Sequence, residues 1–201
     1  FDNENNFNLA GASIETYLLE KSRICFQIEG ERNYHTFYQI ANGASGDQKG
    51  GWKIGAAGGY NYINQSGCIT IDGVDEPKMF DLLGKALASM GISDAESSSL
   101  YTGVAAVLQM GNIKFEDETT SAGEVAKGSN MDVMNTAAEL FGIDGPDLEK
   151  CLREKTLVAA GRGSVYYVKR DSTQAGYARD AVRKMIYQSL FDWVVAHVRL
   201  A

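Results

Sequence analysis

The chain has 201 residues, 44% of them hydrophobic, enough to bury a core in one domain or in a domain with an appendage. A formal charge of −7 argues against non-specific nucleic-acid binding, which needs a basic surface. No apolar run is long enough to span a bilayer, and no signal peptide is recognisable. The three cysteines, Cys25, Cys68 and Cys151, lie far apart with no C-x-x-C, and the only histidines are His35 and His197. This pattern predicts no metal site and a reduced, cytosolic setting. The first residue is Phe1, and Arg199-Leu200-Ala201 continue a helical pattern without a stop signal, so a piece of a longer chain is expected.

In chain order, Phe1 to Asn8 is polar and Asn-rich and reads as a turn. Ala10 to Gln27 is ambiguous: Ile14, Leu18 and Leu19 with Glu15, Glu20 and Lys21 suit a helix, whereas Ile24-Cys25-Phe26 favours a strand. Glu29 to Glu31 is a turn. Arg32 to Ile40 is a predicted helix with Tyr34, Phe37 and Tyr38 inward. Asn42 to Gly59 is Gly-rich, with Lys49 and Lys53, and reads as a flexible loop or loosely structured segment. It has no G-x-x-x-x-G-K-[ST], so it is not a phosphate loop. Asp75 before Glu76-Pro77 starts a helix that runs to about Met90 and is ended by Gly91. Ser93 and Glu96 form a capping box, and Ser98 to Met110 is the next helix, stopped by Gly111-Asn112.

Ile113 to Phe115 reads as a short strand, and Glu116 to Ser129 as an exposed acidic loop. Met131 to Phe141 is a helix closed by Gly142, and Pro146 to Glu154 another, started by Asp144 and Pro146. Thr156-Leu157-Val158-Ala159 and Val165-Tyr166-Tyr167-Val168 flank Gly161-Arg162-Gly163, so Lys155 to Lys169 is a predicted hairpin. The last helix spans Gln174 to Val198. Asp171 or Ser172 caps it. Ala178, Val182, Met185, Ile186, Leu190, Trp193 and Val194 make its apolar stripe. Arg179, Asp180, Arg183, Lys184 and Gln188 make its polar side.

Three stretches carry a family resemblance. Tyr177 to Tyr187 with Leu190 to Val195 resembles the "RDALAK-LY-LFDWLV" helix of the myosin motor head. Tyr17 to Arg23 with Gly30 to Gln39 is similar to "YLLEKSRV…GERNFHIFYQ", and Leu108 to Phe115 to "LHLGNIxF". Tyr60 to Ile71 also resembles that family's "FNYLNQSGC" segment. The resemblance implies a mainly α fold with some β: a helical subdomain of the head with a transducer edge strand and a short β-hairpin. Residues 1–30 would be the transducer strand and turn segment, and residues 31–201 the helical upper fifty-kilodalton subdomain, between the two nucleotide switches. The parent would be an actin-activated Mg-ATPase of the cytoplasmic actin cytoskeleton. This chain has no phosphate loop, no "NxNSSRFGK" and no "DxxGFE", so no cofactor and no catalytic residue is expected within it. No membrane contact is expected from it either.

The hairpin is the candidate site. Arg153, Lys155, Arg162, Lys169 and Arg170 are opposed only by Glu154 between positions 153 and 170. Such a patch is either a solvated face or a surface for an acidic partner. In the family the hairpin at this place is the cardiomyopathy loop, so the resemblance implies actin contact by Lys155, Arg162, Gly163, Ser164, Val165, Tyr166, Lys169 and Arg170. Ser164 stands sixteen positions before Asp180, where the family carries an acidic or phosphorylatable residue. Its surroundings, Arg162 and Tyr166, resemble the site that a p21-activated-type kinase modifies in amoeboid class I myosins. Otherwise Ser164 is an ordinary turn serine. Partners implied are the actin filament, the rest of the head and that kinase. The alternative is a stand-alone helical interaction module without motor activity. Glu20-Lys21 and Glu31-Arg32 lack a partner histidine, His35 is expected to be packed or hydrogen-bonded among aromatics, and Ser22 and Ser66 have no nucleophile context. Cys68 reads as a buried apolar residue.

Overall fold

The computed structural model describes residues 15–16, 19–121, 123–158 and 165–198. They form eight α-helices and two antiparallel two-stranded ribbons. The mainly α expectation with some β holds.

The first ordered feature is a 3-10 turn, Lys21–Ile24, where the resemblance implied a strand. A strand needs a neighbour for its N–H and C=O groups, and here those groups close locally. Arg23 donates its N–H to the Glu20 carbonyl at 3.1 Å, and Cys25 donates to Ser22 at 3.0 Å. Phe26 and Ile28, two residues apart, are left exposed.

Helix α1, His35–Gly43, starts three residues later than predicted and buries Phe37, Tyr38, Ile40 and Ala41, with Tyr34 half-buried at its start. His35 is exposed at the start of α1 rather than packed among aromatics, because the inward positions of this turn fall to Phe37 and Tyr38. The Gly-rich stretch after α1 is more ordered than its composition suggests. Ser45 and Gln48 close a reciprocal capping box on α2, Gly46–Gly51, and the chain then buries Trp52 and Ile54. Helix α3, Asn61–Asn64, brings Tyr62 and Ile63 into the core.

Helix α4, Glu76–Ser89, is capped by the Asp75 carboxylate on the Lys78 N–H at 3.1 Å. Helix α5, Asp94–Gly111, starts from the predicted Ser93–Glu96 box. It is the spine of the molecule: Val104, Ala105, Val107 and Leu108 lie in one apolar cluster with α1 and α3, and Met110 lies in a second with α6 and α7. At its end Gly111 lies under the Tyr62 ring, where a Cβ would collide with the ring carbons.

The segment read as an acidic loop is a hairpin, β1 Phe115–Thr120 with β2 Gly123–Gly128. It begins where the predicted Ile113–Phe115 strand was to end, and Ile113 itself is core. Its acidic residues face water while Val125 and Ala126 are buried, which is why composition alone concealed the strands. Helix α6, Met131–Phe141, ends at Gly142 with φ +70°. Helix α7, Gly145–Arg153, runs directly into the second hairpin, β3 Glu154–Val158 with β4 Val165–Lys169. Helix α8, Ser172–Val198, closes the chain along α5. Cys68 is half-buried, not buried, in the turn after α3.

Candidate functional site

The β3–β4 ribbon is the predicted hairpin, paired from Glu154 opposite Lys169 to Val158 opposite Val165. Its register places Lys155, Leu157, Tyr166 and Val168 on one face, and Thr156, Val158, Val165 and Tyr167 on the other. Neither face is covered. Val158 is 67% exposed, Tyr167 64% and Tyr166 56%. Large apolar side chains on both sides of an uncovered two-stranded ribbon are not explained by folding, because such a ribbon gains little stability alone. They fit an interaction surface better. Arg162, Gly163 and Ser164 lie outside the described residues.

The basic residues divide into two sets. Arg170 turns inward: its Nη1 donates to the carbonyls of Cys151, Leu152 and Glu154 at 3.2, 3.0 and 2.5 Å. It thus satisfies the free carbonyl end of α7, where a cation is favoured. Arg153 donates to Glu149 Oε1 at 3.0 Å, and the same oxygen accepts the Gly128 N–H at 3.1 Å. Lys155 and Lys169 are exposed. Of the described cations proposed for the surface, only these two are free of structural duty.

The base of the ribbon is anchored to its neighbours. The Arg170 N–H donates to the Arg153 carbonyl at 2.7 Å, and the Arg170 carbonyl accepts the Ala126 N–H of β2 at 2.8 Å. Asp117 of β1 accepts both the Ser172 backbone N–H and the Ser172 hydroxyl, each at 2.6 Å. Ser172 holds the Asp117 carboxyl below the usual carboxylate range. Asp171 adds the predicted cap by accepting the Gln174 N–H at 2.7 Å. Two carboxylates therefore sit at the positive end of α8. The Asp117 contact joins residues far apart in sequence, and no local motif announces it.

The larger surprise is inside α8. Arg183, assigned to the polar side by spacing, is fully buried. The inward row is Ala175, Arg183 and Tyr187, at i+4 multiples, while Met185 is 63% exposed. The Arg183 guanidinium stacks 3.2 Å from the centroid of the Tyr62 ring. Its nearest carboxylate oxygen, Asp180 Oδ1, is 3.7 Å away. That oxygen is already shared by the Tyr62 hydroxyl at 3.0 Å and by Arg179 Nε at 3.0 Å. Burial lowers the Arg183 pKa to about 10, opposed by the neighbouring Cys25 thiol. Tyr187, stacked on Tyr34 at 5.0 Å, has its hydroxyl pushed upward by burial.

The described residues form a helical body with a ribbon anchored at its base that carries exposed apolar and lysine side chains. The chain belongs to the myosin head family: the model of the myosin head (motor domain) matches residues 1–201. It is 36% identical over 196 residues to the Myosin ID heavy chain of Dictyostelium discoideum, covering 95% of this chain and 18% of that protein. It is 37% identical over 199 residues to Myosin-52 of Schizosaccharomyces pombe, covering 98% of this chain and 13% of that one. Myosin-7 of Arabidopsis thaliana is 37% identical over 191 residues, covering 94% of this chain and 11% of that one. The chain thus spans less than a fifth of the length of these relatives.

Proposed function

We propose that this chain is the actin-facing helical part of an ATP-driven myosin motor, and that it couples nucleotide state to actin affinity through the β3–β4 ribbon. The supporting observation is that ribbon: exposed apolar side chains on both faces, flanked by exposed Lys155 and Lys169, on an anchored base. Actin contact is assigned to Lys155, Arg162, Gly163, Ser164, Val165, Tyr166 and Lys169. Arg170 belongs to the support beneath them, because its guanidinium is committed to three carbonyls. Residues 1–30 are assigned to the transducer and residues 31–201 to the upper fifty-kilodalton subdomain. In that arrangement Phe26 and Ile28, exposed and spaced as on one face of a strand, gain their cover from the rest of the head.

Mg-ATP is the parent's cofactor, and the residues of this chain do not fit it: there is no G-x-x-x-x-G-K-[ST]. Its role is to shift the equilibrium between two states of the actin surface, which requires contacts that differ between them. Ser164 is the assigned regulatory residue, modified by a p21-activated-type kinase. A phosphate there brings about −1.5 to −2 charges next to Arg162.

The test is co-sedimentation with actin filaments over a salt series, using the intact head with Ser164, Ser164→Ala or Ser164→Glu. Binding that weakens with salt and differs between Ala and Glu is the expected result. Equal binding and equal actin-activated ATPase in the Ala and Glu heads would refute the regulatory assignment. Salt-independent binding would refute the role given to the cations.

A further inference from the structure

A cleft of about 1010 Å³ opens between the end of α1, helix α2, helix α4 and the start of α5. Small residues give it depth. Gly84 and Ala88, one turn apart on α4, leave that wall without bulk, and a Cβ at Gly84 would meet nothing within 4 Å. The inner wall is aromatic: Trp52, Phe80 and Tyr101 pack on one another with ring centroids 5.0 to 6.2 Å apart. The Trp52 indole N–H donates to Ser98 Oγ at 3.2 Å. The Tyr101 hydroxyl is different. The residue is only 5% exposed, and this oxygen has no hydrogen-bond partner among the described residues. Buried hydroxyls are ordinarily paired, and the fold does not pair this one.

The charges around the cleft do not balance. Asp47, Asp81 and Asp94 line it, against one cation, Lys85. Lys85 is already paired with Asp81 at 2.6 Å, one turn away on α4. Asp47 and Asp94 have no ion pair among the described residues. Both stand in the first turns of helices, α2 and α5, which favour a carboxylate without any ligand. The Tyr101 hydroxyl is an independent observation on the same cleft. Its oxygen, like the carboxylates, accepts from N–H donors. Acceptors left without donors, beside aromatic rings, suit a cation with an apolar body.

We propose that this cleft binds a small organic cation, an amidine or amine with an apolar or aromatic body. Its N–H groups donate to the unpaired carboxylates and to the Tyr101 hydroxyl. Its body lies along Gly84 and Ala88 against the half-buried Phe80 ring. The cleft is at the top of the range of about 300–1,000 Å³ that small-molecule sites occupy. Charge sets the class of ligand: an anion would meet two unpaired carboxylates, and a neutral molecule would leave them unpaired.

The test is isothermal titration of the intact head with benzamidine as the probe and neutral benzamide, of nearly the same shape, as the control. Benzamidine should bind saturably with a Kd on the order of 1 mM or below, and added salt should weaken it. Benzamide should bind at least about tenfold more weakly. Asp47→Asn combined with Asp94→Asn should weaken benzamidine about tenfold. Tyr101→Phe should weaken it about fivefold while the thermal midpoint stays level or rises, because the hydroxyl it removes bonds nothing in the fold. Gly84→Leu fills the cleft from a position with open space and should abolish binding. No saturable binding, equal affinity for benzamide, or benzamidine affinity unchanged in Gly84→Leu would overturn the proposal. So would a Tyr101→Phe head that melts lower and binds as well as the wild type, since the hydroxyl would then serve the fold.

Discussion

Arg32 and Glu76 tie the start of α1 to the start of α4 by a contact of 2.6 Å between side chains only 5% and 9% exposed. The Arg32 guanidinium also lies 3.6 Å from the centroid of the Tyr38 ring. Glu76→Gln changes little in volume but removes the charge, leaving a buried guanidinium with a neutral acceptor. Breaking a buried pair in this way costs about 3–5 kcal/mol, and the retained amide oxygen places this case near the lower end, at about 3. For a chain of this length each kcal/mol moves the unfolding midpoint by about 2–4 °C, so the expected fall is about 6–12 °C. Urea unfolding followed by circular dichroism should show a lower midpoint with an unchanged slope. Arg32→Met combined with Glu76→Leu removes both charges and should recover most of the loss, because apolar replacements avoid the desolvation cost. A Glu76→Gln cost below about 1 kcal/mol, or a double variant no more stable than the single one, would refute this account of a coupled buried pair.

Three further outcomes follow from the same geometry. Asp117→Asn removes the carboxylate that accepts two bonds from Ser172, and thermal melts should show a loss of stability at about pH 7 that shrinks as pH falls below 3.8. The sign follows from the depressed folded pKa: the contribution is present above the ordinary value of 3.8 and is lost as pH falls through the folded value. Gly111→Ala drives a methyl into the Tyr62 ring and should cost about 1–3 kcal/mol in denaturant unfolding, since neither α5 nor the buried ring has room to move. Tyr166→Ser, at an exposed position, should shift stability by less than about 0.5 kcal/mol yet weaken actin co-sedimentation of the intact head.

Helix ends and the second hairpin were legible in the sequence because their signals are local. Ser93 with Glu96, Asp75 before Pro77, and Gly142 after an apolar period each act within one turn. The α2 box at Ser45 and Gln48 was equally local, but the surrounding glycines obscured it. The first hairpin was hidden because Glu116, Asp117 and Glu118 read as loop residues, while its anchorage comes from α8 and the Arg170 carbonyl, remote in sequence. Arg183 was hidden for another reason. A helical wheel shows which residues share a side of α8, but Tyr62, brought by α3 and packed against Gly111, decides which side is inward. The 3-10 turn at Lys21–Ile24 shows the reverse case: the resemblance implied a strand there, and the backbone groups close locally instead.

The ribbon owes its position to groups at its base, and this separates binding from stability. Arg170 closes the end of α7, Arg153 joins Glu149, and the Ala126 bond ties the base to β2. Beyond that base, every described residue from Lys155 to Val158 and from Val165 to Lys169 is exposed. The assignment of Ser164 to that surface predicts that a charge there alters binding and leaves the core intact. Ser164→Glu should leave the urea midpoint within about 0.5 kcal/mol of the wild type while it alters salt-dependent binding to actin. Arg170→Ala should do the opposite first: it frees three carbonyls at the end of a helix and should cost about 1–3 kcal/mol in stability. If Ser164→Glu instead lowered the midpoint as much as Arg170→Ala, the ribbon and the helical body would be one cooperative unit, and the division between anchored base and binding surface would be wrong.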